Sequence, residues 1–68
     1  MITEIGIVAG EIWHYLDRNG TATLDQLIKG LKRSDELVLM SLGWLAREGH
    51  VHLGNHDTGY KAELTSKT

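Results

Sequence analysis

The sequence predicts a small, mainly helical α+β domain: three helices, a short connector strand and a C-terminal β-hairpin. Three observations predict it. Apolar residues recur at helical spacing in three successive segments. Each segment is bounded by residues that cap or stop a helix. The C-terminal stretch then changes to period-two alternation around a turn-rich run.

The first helix is expected from about Thr3 to Asn19, where Ile5, Val8, Ala9, Ile12 and Leu16 form one apolar stripe. Arg18 suits its last turn, and Gly20 follows where a left-handed residue closes a helix. Thr21-Ala22 is an extended connector. Thr23 and Gln26 lie three apart ahead of an apolar run, the spacing of a capping box. They open a short helix from Leu24 to about Leu31, with Leu24, Leu27, Ile28 and Leu31 inward. Lys32-Arg33 is the turn. Ser34 is a good N-cap, and Asp35 and Glu36 suit the first turn of a third helix ending at Gly49. His50 to Leu53 alternates, Gly54 to Gly59 is read as turn, and Tyr60 to Leu64 alternates again. The polar tail from Thr65 to Thr68 is expected to fray.

A two-residue turn between two helices is the signature of a helix-turn-helix, and a hairpin after it is a wing. The chain therefore resembles a winged helix-turn-helix domain from about Ile5 to Leu64. More narrowly, it is similar to a family of short stand-alone prokaryotic winged-helix proteins of unknown function. That resemblance lies in Ile5-Gly6-Ile7 with Ala9-Gly10 and Ile12-Trp13, and in the block from Leu42 to Gly49. The superfamily implies DNA binding in most members; the narrower family implies no assigned activity.

Length and composition bound the function. With 68 residues the chain is one domain, 1–68, of marginal stability alone, which a partner subunit would help. It has no Cys, which excludes disulfides and thiolate chemistry and favours a reducing, cytoplasmic compartment. The start, Met1-Ile2-Thr3-Glu4, lacks the basic region of a secretion signal, and no apolar run approaches membrane-spanning length. The net charge of −2 is a poor opening for a nucleic-acid binder. Full protonation of the 4 His would move it from −2 to +2, so DNA assays belong near neutral pH.

The third helix is the one that enters the major groove in winged-helix proteins. At about 100° per residue, Val38, Leu42 and Leu45 fall on a core side. Glu36, Met40, Gly43, Trp44 and Arg47 fall roughly opposite. No Arg, Lys, Asn or Gln lies between Ser34 and Ala46, although those side chains read base edges best. Asp35 and Glu36 would repel phosphates. Met40 and Trp44 are candidates for contact with another protein chain. The competing reading is ordinary core beneath helix one and the hairpin. Core is the expectation for Trp44, and Met40 is left between the two. Leu37 and Leu39 also need cover, so apolar residues nearly ring this helix.

On helix one, Ile2, Gly6, Gly10, Trp13 and Asp17 align on a second stripe beside the core stripe. Each Gly costs a helix about 0.8–1.0 kcal/mol relative to Ala, so something should compensate. Either another protomer packs into the Gly6/Gly10 groove, flanked by Ile2 and Trp13, or helix three or the hairpin of the same chain does. The candidate protein interface is thus Ile2, Gly6, Gly10, Trp13, Met40 and Trp44. The candidate DNA phosphate contacts are Lys29, Lys32, Arg33, Arg47 and Lys61, with Arg18 near the end of helix one.

His50 and His52 share a strand face, with His56 and Asp57 in the following turn. Without a closed four-ligand set they are read as surface histidines, not a metal site. No nucleophile–base–orienter set and no phosphate-cradling loop is visible. A domain this small is not expected to enclose a substrate pocket of about 300 Å³ or more. No cofactor is called for. The expected function is a non-enzymatic, homodimeric protein-interaction or regulatory module. The alternative is a transcription regulator binding double-stranded DNA through helix three and the wing, which the charge disfavours.

Overall fold

The computed structural model describes residues 2–57 and 59–65, and the side chain of His56 is not among the described groups. The chain runs α1 (Ile2–Asn19), β1 (Thr21–Thr23), α2 (Leu24–Leu31), α3 (Asp35–Arg47), β2 (Val51–His56) and β3 (Gly59–Leu64). This is the winged helix-turn-helix arrangement. The three strands form one antiparallel sheet in the order β1-β3-β2, so the last strand lies in the middle.

Local chemistry sets the boundaries. Gly20 has φ +89°, and its N–H closes α1 on the Leu16 carbonyl at 2.8 Å. A residue with a Cβ would be strained there. Thr23 and Gln26 form the reciprocal capping box: Gln26 N–H donates to Thr23 Oγ1 at 3.1 Å, and Thr23 N–H to Gln26 Oε1 at 2.9 Å. Lys32 ends α2 in the left-handed region, φ 56°, and donates to the Ile28 carbonyl. Ser34 caps α3 by accepting from Leu37 N–H at 3.2 Å. At the far end His50 N–H reaches the Leu45 carbonyl and Gly49 N–H that of Ala46, with Gly49 at φ +80°. That is a Schellman stop, and it turns the chain into β2.

The core gathers Val8, Ala9, Ile12 and Leu16 of α1, Leu27 of α2, and Val38, Leu42 and Leu45 of α3 over Ala22, Val51, Ala62 and Leu64 of the sheet. Leu24, Ile28, Leu31, Leu37 and Leu53 pack half-buried at its margin. Ile5, read from the sequence as core, is only half-buried. Ser41 is fully buried, and its Oγ has no hydrogen-bond partner among the described residues.

Two boundaries differ from the sequence reading. Gly54 to Gly59 is not one long turn: Gly54, Asn55 and His56 pair with Lys61, Tyr60 and Gly59. Ladder pairing with β3 overrides turn-prone composition, leaving Asp57 in the turn; Thr58 lies outside the described residues. Thr65 is also held. Its N–H donates to the His50 carbonyl at 3.1 Å and its hydroxyl to the Gly49 carbonyl at 2.5 Å. The rest of the expected frayed tail, 66–68, lies outside the described residues. No helix among them is long and apolar enough to cross a membrane.

Candidate interaction surfaces

The exposed side of α3 follows from its buried side. Val38, Ser41, Leu42 and Leu45 face the core. A helix interleaves its faces every three to four residues, so Leu39, Met40 and Trp44 are turned outward. They are 49%, 40% and 48% exposed. The expectation that Trp44 belongs to the core is therefore corrected. The covering elements pack on the Val38–Leu42–Leu45 stripe and do not wrap around the helix. Glu36, Gly43 and Arg47 are exposed on the same side, and a Cβ on Gly43 would meet nothing within 4 Å.

Over the start of α3, Glu4, Ser34, Glu36, Leu37, Leu39 and Met40 line an open cleft of about 490 Å³. A second open cleft, of about 560 Å³, lies between α1 and the end of α2 and is lined by Glu11, His14, Tyr15, Arg18, Asn19, Gly30 and Leu31. Both arise as grooves between adjacent helices, not as interior cavities. A Cβ on Gly30 would lie 3.0 Å from Tyr15 Cε2, so this glycine admits the tyrosine ring against α2.

The glycine stripe of α1 is open. A Cβ on Gly6 or Gly10 would meet nothing within 4 Å, which rules out close packing of α3 or the hairpin against it within one chain. Around it Ile2 is 86% exposed, and Ile7 and Trp13 are exposed too. Trp13 stacks edge-on with His14, ring centroids 5.5 Å apart. The helix cost of these two glycines is thus not offset inside the protomer. Gly6→Ala and Gly10→Ala are each expected to stabilise the isolated chain by about 0.8–1.0 kcal/mol, read as a higher urea midpoint. A lower midpoint would show that something packs against the stripe.

Two of the candidate phosphate contacts are engaged in ion pairs. Arg33 grips Glu11 with two parallel hydrogen bonds, Nε to Oε1 at 2.9 Å and Nη2 to Oε2 at 2.6 Å. Those bonds hold the Glu11 carboxyl below the usual glutamate range and raise the guanidinium further. The sequence holds no local signal for this pair, because it joins residues far apart in the chain. Lys29 lies 3.1 Å from Asp25 along α2. Among the described residues no ion pair engages Lys32, Arg47 or Lys61. Lys32 ends α2, Arg47 ends α3 and Lys61 lies on the central strand, so the three sit on three different elements. His50 precedes β2 and His52 is exposed on it; no cluster of three metal-ligating residues is present among the described residues.

Comparison with known proteins agrees with this architecture. A family model described as a winged helix-turn-helix domain, DUF2582, matches residues 1–62. The chain is also 34% identical over 64 residues, covering 90% of each protein, to the uncharacterized protein MJ1608 of Methanocaldococcus jannaschii. No solved structure matches. By both the family match and the similarity to this archaeal protein, the chain belongs to the DUF2582 family of winged helix-turn-helix domains.

Proposed function

We propose that this domain is a non-enzymatic binding module that works as a homodimer, using its helical faces to contact protein. The observation that carries the reading is the outward face of α3. There Leu39, Met40 and Trp44 are exposed, behind a first turn carrying Asp35 and Glu36. A helix that reads DNA presents cations and amides to base edges and phosphates. This one presents hydrocarbon and carboxylates. Exposed aromatic and Met side chains are what protein interfaces are enriched in. The exposed residues of α1, Ile2, Ile7 and Trp13 around Gly6 and Gly10, add to the uncovered apolar surface.

A second reading is a DNA-binding regulator. The observation favouring it is that Lys32, Arg47 and Lys61 stand outside ion pairs among the described residues, on a fold widely used for DNA. Fluorescence titration with random duplex DNA near neutral pH at about 50 mM salt separates the two, because electrostatic binding is strongest at low salt. The interaction module is expected to show no micromolar binding there, together with a sedimenting mass of twice 7.6 kDa at tens of micromolar. Micromolar binding that collapses as salt is added would favour the regulator.

A further inference from the structure

The outward face of α3 is self-complementary in one direction only. Glu36, Met40, Gly43 and Arg47 are spaced four, three and four residues apart, the alternation of a coiled-coil seam. At about 100° per residue they fall within an arc of about 60°. Leu39 and Trp44 flank that arc on opposite sides. All six are exposed.

From this pattern we infer that a second copy of the chain docks on α3, antiparallel to it, about a two-fold axis lying over the helix midway between Ser41 and Leu42. The inference rests on the dimer reading above and assigns the dimer's seam and register. In this register Met40 lies opposite the partner's Gly43. Its side chain fills the space that a glycine leaves, and the same contact repeats across the axis. Glu36 lies opposite the partner's Arg47 at each end of the seam. Trp44 and the partner's Trp44 close one flank, and the two Leu39 side chains close the other. A two-fold interface requires one patch to complement itself, and this patch does. The charges choose the direction. A parallel pairing would set Glu36 against the partner's Glu36 and Arg47 against the partner's Arg47, which is repulsive at both ends.

The α1 stripe competes less well for the same role. Paired in the same way it sets Trp13 over the partner's Gly10 but Asp17 over the partner's Gly6. In that register Ile2 falls beyond the end of the partner's α1, Trp13 is left as the large apolar anchor, and the stripe offers no opposite charges. The α3 seam has a consequence for DNA. The helix that a winged-helix protein inserts in the major groove is covered by its own twin, so pairing and groove insertion exclude each other.

Charge exchange tests the register. Sedimentation velocity at tens of micromolar gives the mass, and circular dichroism reports the fold of each variant. Glu36→Arg and Arg47→Glu are each expected to weaken the dimer at least about tenfold, because each sets like charges face to face at both ends. The double variant Glu36→Arg/Arg47→Glu is expected to recover the dimer to within about threefold. That recovery cannot come from the fold, since the double variant carries both unfavourable helix-dipole changes. Single variants that stay dimeric, or a double variant that stays monomeric, would overturn the seam. If Gly10→Leu alone dissociates the protein, the seam is on α1 and this inference fails while the dimer reading stands. A wild-type chain that sediments only as a monomer of 7.6 kDa overturns the dimer reading itself.

Discussion

Ile12→Ala is expected to destabilise the domain by about 2–5 kcal/mol. Ile12 is fully buried in the middle of α1, within the cluster that joins all three helices to the sheet. Truncation removes the transfer energy of its lost carbons and leaves a cavity that close-packed neighbours fill only in part. A core of this size rarely supplies more than about 3–5 kcal/mol in total, so the variant loses most of its folded population. The check is the urea midpoint, with the slope holding steady if the unfolded state is unchanged. Ile7→Ala is the control. Ile7 sits on the same helix but is exposed, and its expected change is within about 0.5 kcal/mol. Equal losses at the two positions would mean that the burial pattern of α1 is wrong.

Ser41→Ala is expected to move stability the other way, by about 1 kcal/mol. The Ser41 hydroxyl is buried in the core face of α3 without a hydrogen-bond partner among the described residues. Stranding such a group costs about 1–3 kcal/mol of desolvation. Alanine removes one oxygen, keeps the Cβ in place and is the better helix former. The packing lost with a single atom offsets only part of that gain. A rise in Tm of about 4–8 °C per kcal/mol is the expected readout for a domain this short. A fall in Tm would show that the hydroxyl holds a bond in solution, and the core would then contain a structural water or a back-bond along the helix.

What was legible in the sequence was local. The capping box at Thr23 and Gln26, the Ser34 cap, the left-handed stop at Gly20 and the helix end at Gly49 involve residues within a few positions of one another, so spacing reveals them. The stripes Val8–Ala9–Ile12–Leu16 and Val38–Leu42–Leu45 followed from helical period alone. What was not legible was set by elements distant in the chain. Gly54 to His56 read as turn because composition is a local property, whereas their strand geometry comes from pairing with Gly59 to Lys61. Trp44 read as core because its size invites burial; whether a neighbour reaches it depends on where α1 and the sheet come to rest. The Gly6/Gly10 stripe could be placed on one side of α1, but only the assembled fold shows that nothing of the same chain fills it. The Arg33–Glu11 clasp was invisible for the same reason.

The position of β3 between β1 and β2 has a consequence for how the chain comes to be made. Thr21 is aligned with Glu63, so two segments about forty residues apart must meet before β1 joins the hairpin and the three-stranded sheet is complete. During synthesis the three helices emerge first, with Ala22 and the apolar faces above it still uncovered. Completion waits for the final strand to leave the ribosome. A message truncated before the codons for Gly59 to Leu64 would yield a product with an unzipped edge at Thr21–Thr23 and half a hairpin, a substrate for proteases rather than a smaller version of the same fold.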